Sequence, residues 1–485
     1  MDAKIVNRLL CKLTIAFALI QLIPLVTCVV IDQQHAWIFV LSLLVDCGFA
    51  YVFNRYSSTR SRQRLRVREA IAVVSCGWLL VCALGSLPFL LLNPADPLAA
   101  VFESVSGFTT TGVTTATSFD VYPPSVLVWR CLTHWTGGIG VIMLFIIIMP
   151  QMNGGTSYLF NAELPGAVAE RSLPKIRESA KMILAIYVIF TLVEILLLLV
   201  CGVPIFQALN LAFATMATGG FSYYNDSLVA FDSASVEIIV ILFMLISSMN
   251  FSLYYKIWRR DFRAVLDDAE HRYYLLILAI ATMLICGDLY LHNYMTFSNS
   301  LRHGFFQAVS IGSTTGFASD NFYAWPNFSR NVLLLLMFVG GCSGSTAGGI
   351  KISRLVILLK ASWAELLRTL HPRIIYSIKL GNKTIDPVVV GNITRFFFLY
   401  MLVFIVLSIL ISLSGLPAMD SIGLIAACMS SMGPAFGIVG PTSTYTGLSD
   451  WVRFISICAM LLGRLEIFTL LAILQPDFWR NKQNW

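Results

Sequence analysis

Phe102-Glu-Ser-Val-Ser-Gly-Phe-Thr-Thr-Thr-Gly112-Val113 is a short polar run that ends on a glycine and lies between two long apolar stretches. Three more segments share the pattern: Phe213-Ala-Thr-Met-Ala-Thr-Gly219-Gly-Phe, Val309-Ser-Ile-Gly-Ser-Thr-Thr-Gly316-Phe and Ala427-Cys-Met-Ser-Ser-Met-Gly433-Pro. Their glycines recur roughly every 100 residues, a period that fits a whole membrane unit rather than a solenoid repeat. Polar, glycine-containing backbone at membrane depth is tolerated where it lines a wet cavity or is buried in protein. Four such loops can meet around one axis, where backbone carbonyls replace an ion's water shell. The pattern therefore reads as an ion-selectivity filter divided into four unequal pieces.

Composition agrees. Of 485 residues, 57% are hydrophobic and 12% charged, against about 25% charged in a typical soluble domain. The 11 cysteines are scattered, mostly within apolar runs, as small hydrophobes between helices would be. The six histidines do not cluster, so no metal is expected beyond a monovalent cation. The sequence has no nucleophile motif and no phosphate-cradling loop, so neither an enzyme nor nucleotide binding by this chain is expected. The net charge of +7 sits in a few loops and is not a nucleic-acid signal.

Ten apolar runs are long enough to span, at roughly 20 residues each. Two come first, 14–31 and 37–53. The first has no small-residue cleavage pattern after it and reads as a retained helix rather than a signal peptide. Four pairs follow: 70–92 with 126–148, 182–200 with 236–258, 274–291 with 332–360, and 396–413 with 454–473. Each pair flanks a half-length run that ends at a filter glycine, too short to span and therefore re-entrant. The predicted fold is all-α and integral to the membrane: two N-terminal helices (1–69), then four repeats of outer helix, pore helix and inner helix (70–180, 181–271, 272–394, 395–485) around a central pore.

Lys and Arg crowd alternate loops: Arg55 to Arg68, Arg171 to Lys181, Lys256 to Arg263, Lys351 to Lys383, and Arg480 with Lys482. The opposite loops carry Asp32, Asp96, Asp120, Asp226, Asp320 and Asp450. By the positive-inside rule both termini are cytoplasmic and every filter loop re-enters from outside. The pore helices then point their C-terminal ends, each with about −0.5 elementary charge, at the membrane centre. The expected ion contacts are Thr110, Thr111, Gly112 and Val113; Thr218, Gly219 and Gly220; Thr314, Thr315, Gly316 and Phe317; and Ser431, Met432 and Gly433. An oxygen-only lining without a carboxylate ring suits a monovalent ion. Glu103, the one acidic residue on the first pore helix, is expected to brace that helix.

Two further features interrupt the apolar pattern. Gly340-Gly341-Cys-Ser343-Gly344-Ser345-Thr346-Ala-Gly348-Gly349 falls in the middle of a span. Glycine costs roughly 1 kcal/mol in a helix interior, so a broken helix with a polar loop beneath the filter is expected, placed to act as a gate. Arg464 lies inside the last span; such a charge costs at least roughly 2.5–3.5 kcal/mol and usually faces the bundle interior. It reads as a fixed positive charge below the filter. Glu466 lies two residues on and makes a poor intrahelical partner. Glu194 and Asp288 are polar anomalies without an assigned role.

With these residues in view, the chain resembles the Trk/Ktr/HKT superfamily of cation transporters. His134-Trp-Thr-Gly-Gly-Ile-Gly140 and the run from Gly340 to Lys351 make it look like the bacterial TrkH-type subunits in particular. The resemblance covers the whole chain. Plant members with Ser at the first filter glycine carry sodium; Gly112 here implies potassium. Met432 and Pro434 depart from the pattern, so the ring is not four-fold symmetric. The resemblance also implies gating by the 340–349 run and by Arg464, a homodimer in the bacterial cytoplasmic membrane amid lipid, and a cytosolic TrkA-type subunit that binds adenine nucleotides. Channel and symport with proton or sodium both remain open, as does sodium permeation. No span carries an arginine or lysine every third residue, so no voltage sensor is expected. The repeats run in one direction, unlike inverted-repeat transporters.

Overall fold

A computed structural model describes residues 2–57, 67–116, 118–119, 122–148, 173–224, 226–374, 376–381, 383–440, 445–465 and 467–479. Arg60, Arg62, Arg64, Arg66, Asp120, Arg171, Glu466, Arg480 and Lys482 lie outside these residues.

The described chain is predominantly helical. Helices Ala3–Ile31 and Ala36–Arg55 form an antiparallel hairpin joined through a short turn at Gln33–His35. Both leave broad apolar faces exposed, including Ile15, Leu19, Val26, Leu44 and Phe49. An apolar face is stable against lipid hydrocarbon, where the backbone's hydrogen bonds are all satisfied within the helix. A long helix then opens each repeat: Val67–Gly85 continued by Leu87–Leu92, Leu173–Val200, Ala269–Leu291 and Pro387–Ser412. Asp268 caps the third by accepting from the His271 N–H, and Asp386 caps the fourth, with Pro387 at its first position.

Each long helix is followed by a short one: Pro97–Phe108, Ile205–Met216, Phe297–Gly312 and Ala418–Ser430. At 12 residues the first is about 18 Å long, well short of the roughly 30 Å hydrocarbon core. Their final turns are buried on all sides and built of small residues, such as Ser104, Ser106 and Gly107 in the first and Ala426, Ala427 and Cys428 in the fourth. That burial puts each C-terminal end in the protein interior, not at a lipid surface.

The second helix departs from the sequence expectation of a continuous span in the second and fourth repeats, and is broken at 340–349 in the third as expected. Pro124–Ile148 runs for 25 residues without a break. The run expected over 236–258 is instead Ala234–Ser248 and Phe251–Trp258, bent by 95°. The run expected over 454–473 is Asp450–Arg464 and Ile467–Leu474, bent by 115°. In the third repeat, Asn327–Val339 stops and Ile352–Leu370 starts, and residues 340–351 between them carry no helix. Among the described residues, six helices are long and apolar enough to cross a membrane, or up to eight if each bent pair is one span. A two-stranded hairpin, Lys379–Leu380 with Lys383–Thr384, follows Ile352–Leu370.

Candidate functional site

The four short helices end in one and the same way. In each, the residue after the last turn takes the left-handed conformation: Thr110 (φ 54°), Thr218 (53°), Thr314 (58°) and Ser431 (55°). Its N–H donates three residues back, to Gly107, Thr215, Ile311 and Cys428, at 3.0, 2.9, 3.0 and 3.3 Å. The next N–H donates five back, from Thr111 to Ser106, Gly219 to Ala214, Thr315 to Ser310 and Met432 to Ala427, at 2.9 to 3.0 Å. This paired closure of a helix C-terminus normally recruits glycine or asparagine at the left-handed position. A threonine or serine there costs roughly 1–2 kcal/mol. This chain carries a hydroxyl at all four such positions, and so keeps an oxygen there at that cost.

Two residues beyond each left-handed position stands a glycine with positive φ: Gly112 (86°), Gly220 (78°), Gly316 (82°) and Gly433 (95°). The second turn therefore differs from its sequence reading by one residue. The glycine equivalent to Gly112 is Gly220, whereas Gly219 occupies the position of Thr111, Thr315 and Met432. Gly219 backs instead on the His134 ring, which a Cβ there would strike.

The turns meet in a closed ring. A Cβ on Gly112 would fall on the Gly219 carbonyl oxygen, one on Gly220 on that of Thr315, and one on Gly316 on that of Met432. One on Gly433 would lie 2.6 Å from the Thr111 carbonyl oxygen, which returns the circuit to the first turn. Each glycine thus answers two demands: a backbone conformation that side chains disfavour, and the close approach of the next turn. The ring draws together all fourteen residues of the sequence reading, 110–113, 218–220, 314–317 and 431–433. Four helix C-termini and a set of carbonyls converge there, an arrangement that favours a cation.

Bracing differs between turns. In the first, the Thr109 and Thr111 hydroxyls pair at 2.8 Å and Ser106 donates to the Val113 carbonyl at 2.6 Å. The third repeats both contacts, Ser313 with Thr315 at 2.8 Å and Ser310 to the Phe317 carbonyl at 2.6 Å. The second and fourth have Ala214 and Ala427 at the position of Ser106 and Ser310. Glu103 points away from the ring. It accepts from the Thr115 N–H and the Thr114 hydroxyl, both at 2.6 Å, and pairs with buried Arg130 at 3.2 Å. Arg130 in turn donates to the Ser222 carbonyl at 3.1 Å and stacks on Phe221 at 3.5 Å, which fastens the first turn's outlet to the second's. Beside this pair, burial, with a lesser push from Glu103 against the pull of Arg130, raises the Tyr122 phenol to about 12. His134 completes the backing: its Nδ1 lies 2.7 Å from the Gly107 carbonyl and its ring stacks on Phe221 at 3.9 Å.

Segment 340–349 packs against this ring. Gly340 (φ 70°) and Gly349 (φ 75°) close its neck, so near that a Cβ on Gly349 would come 2.8 Å from the Gly340 Cα. The Gly348 N–H donates to the Thr314 hydroxyl at 2.7 Å. The Thr346 hydroxyl donates to the Met216 carbonyl, at the end of the second short helix, at 3.1 Å. A Cβ on Gly348 would strike the Ser430 carbonyl, at the end of the fourth. The Cys342 N–H, beside Gly341, donates to Ser248 at 2.9 Å, and Gly344 accepts from Phe251 at 3.1 Å, both across the bend of the second repeat. The Ser345 hydroxyl donates to the Cys342 carbonyl at 2.5 Å. Arg464 joins the group: it donates to the Thr346 carbonyl at 3.1 Å and to the Gly137 carbonyl at 2.8 Å.

One residue of this cluster was missed in the sequence. Glu270, in the first turn of Ala269–Leu291, accepts from the Ser343 N–H at 2.7 Å and from the Ser353 N–H at 3.1 Å. One carboxylate oxygen thus holds both flanks of the interrupted segment and sits at the N-terminus of Ile352–Leu370, where negative charge is favoured. The readable signal was an acidic residue at the edge of an apolar run. Asp288, unassigned from sequence, accepts from the Ser329 N–H at 3.0 Å and its hydroxyl at 2.6 Å, and so joins two helices of the third repeat. Glu194 is wholly buried.

Comparison with known proteins places the chain among transporters. The family model TrkH, a cation transport protein, matches residues 47–479. The Trk system potassium uptake protein TrkH of Halomonas elongata is 34% identical over 488 residues, covering 99% of this chain and 100% of that protein. Its namesake in Escherichia coli K12 is 33% identical over 486 residues, with coverage of 99% and 100%. The crystal structure of the potassium transporter TrkH from Vibrio parahaemolyticus superposes with a TM-score of 0.88 at 30% identity, covering 99% of this chain and 100% of that one.

Proposed function

Since the chain belongs to the TrkH family of cation transport proteins, and is thus a transporter and not an enzyme, we propose that it takes up potassium across the bacterial cytoplasmic membrane. The ion passes through the ring of four turns, which acts as the selectivity filter. Ten spans surround it, with the three broken inner helices each counted as one and both termini in the cytoplasm. Carbonyls of the turns replace the ion's water shell, and four helix C-termini hold the cation in the cavity beneath. Segment 340–349 and Arg464 close the pathway below the filter. A homodimer and a cytosolic TrkA-type subunit that senses adenine nucleotides complete the system. Only Ile350 and Lys351 separate the segment from Ile352–Leu370, so a pull on that helix by the subunit acts on the gate almost directly.

The observation that carries this reading is the closed circuit of glycine-to-carbonyl contacts, in chain order, at the ends of four buried short helices. The test is the potassium-to-sodium permeability ratio, read from reversal potentials in liposomes. A serine side chain on Gly112, Gly220 or Gly316 would displace a carbonyl of the next turn. Gly112→Ser, Gly220→Ser and Gly316→Ser should each lower the ratio. A ratio unchanged in all three folded variants refutes the filter assignment.

A further inference from the structure

A cavity of about 270 Å³ lies among helices Ala3–Ile31, Val67–Gly85, Pro124–Ile148 and Leu173–Val200, lined also by Phe108. Its walls are helix Ala3–Ile31, through Ala16 and Phe17, and helix Leu173–Val200, through Leu184. Trp78, Gly137 and Phe108 close its inner end. The polar atoms near it are already engaged: Thr136 donates its hydroxyl to the Leu132 carbonyl at 2.9 Å, and the Trp135 indole donates to Thr191 at 3.1 Å. Nothing there would hold a water, which needs two or more polar partners, or a charged headgroup. Next to the cavity, both wall helices turn exposed apolar side chains outward, Ile15 and Leu19 on one, Ile189 and Leu192 on the other. In a chain that spans a bilayer, the medium against those faces is hydrocarbon.

We propose that this cavity seats one acyl chain of a membrane phospholipid, which enters sideways between the two wall helices. The seat has a consequence for the gate, and this part rests on the function proposed above. Gly137, at the inner end, offers the carbonyl that Arg464 holds at 2.8 Å, and the Trp78 ring lies 6.0 Å from the Arg464 guanidinium. Phe108 is the last residue of the first short helix. An acyl chain in the seat supports the groups that position Arg464; an empty seat leaves them free to shift inward.

Two measurements separate the seat from its consequence. Purified protein is reconstituted in vesicles of dibrominated phosphatidylcholine, whose bromines quench tryptophan on contact. The part of the emission lost in Trp135→Phe, that of Trp135 beside the cavity, should be quenched. Ala16→Phe or Leu184→Trp, each of which fills the seat, should abolish that quenching, while exposed Trp37 remains quenched. Leu184→Trp is read with Trp135 against its own Trp135→Phe double variant. Two variants on different walls guard against one that fails to fold. Trp135 emission indifferent to the brominated lipid overturns the seat, as does quenching that survives both fillings. So does a second copy of the chain found crosslinked across the cavity mouth. For the consequence, partner-free cation flux is compared in phosphatidylcholine vesicles of short and long acyl chains. The parent should respond to chain length and Ala16→Phe should not. Equal response in both overturns the coupling to Arg464. Absence of any cation flux would count against the proposed function, while the quenching would still decide the seat.

Discussion

On the proposed function, Arg464 can restrain the pathway in two physically distinct ways, as a fixed charge and as a tether, and the two can be separated. Its guanidinium donates at once to the Thr346 carbonyl in segment 340–349 and to the Gly137 carbonyl of the first repeat. A hydrogen bond to a charged group contributes roughly 1.5–3 kcal/mol net. If the Thr346 bond exists only while the segment lies under the ring, Arg464→Ala should raise the open-to-closed ratio about 10- to 150-fold, at 1.4 kcal/mol per factor of ten. The segment keeps its bonds to Thr314, Met216, Ser248 and Glu270, so the variant should leak rather than stand open. Arg464→Lys separates the two roles. Lysine keeps the charge but presents a point donor that cannot fork between two carbonyls. If the tether dominates, Arg464→Lys should approach Arg464→Ala; if the charge dominates, it should stay near the parent. The assay is partner-free potassium or rubidium flux into liposomes, normalised to folded protein. Flux that is unchanged or lower in folded Arg464→Ala refutes both roles.

Thr314→Val removes the acceptor of the Gly348 N–H among the described residues, at a cost of roughly 1–3 kcal/mol to the closed arrangement. Partner-free flux should rise, and Thr314→Ser, which keeps the oxygen, should restore it; equal flux in the two variants contradicts the link. Glu270→Gln weakens two bonds, to the Ser343 and Ser353 N–H groups, by removing the charge on their acceptor. It should lower the thermal midpoint and raise partner-free flux together, and a fall in midpoint without a change in flux would confine Glu270 to folding.

The sequence revealed what depends on residue type and concealed what depends on register. Four glycine-ended polar runs stand out because a helix that stops inside a membrane needs small residues to be buried and a glycine to turn. The break at 340–349 stands out for the same reason. In Thr218-Gly219-Gly220, by contrast, two glycines compete for one turn position. The backbone settles it: Gly220 has φ 78° and backs on the Thr315 carbonyl, while the Gly219 N–H donates to Ala214, five residues back. The bend between Ser248 and Phe251 was missed because the few polar residues there, Ser247, Ser248 and Asn250, lie within a run apolar enough overall to span. Its one hint is Asn250, whose side chain accepts from the Ser252 N–H at 2.9 Å and starts a new helix. The bend after Arg464 was likewise not read, although Gly463 and Arg464 mark the place; the tertiary contacts of Arg464 with the Thr346 and Gly137 carbonyls exist only in the fold. Glu270 was passed over because it belongs to no motif; its role exists only once Ser343 and Ser353 are brought beside it.

If the ring is the filter and segment 340–349 the gate, as proposed above, the unequal bracing of the four turns ties selectivity to gating. The first turn is held by its own hydroxyl pair, by Glu103 and Arg130, and by His134 from behind, none of which belongs to segment 340–349. The other three all touch that segment. Thr346 holds the carbonyl of Met216, just ahead of the second turn; Gly348 binds the Thr314 side chain of the third; and Gly348 presses on Ser430, just ahead of the fourth. Withdrawal of the segment therefore removes support from three turns and leaves the first as it was. The third retains its Ser313–Thr315 pair and its Ser310 bond, so the loss falls hardest on the second and fourth, which lack both. Because each glycine leans on the carbonyl of the next turn around the ring, a shift in the fourth is felt by the third through Gly316 and by the first through Gly433. On the proposed function, an ion in the ring binds the same carbonyls and resists that shift. A gate placed directly against the ring must then open more easily when the ring is empty than when it is full.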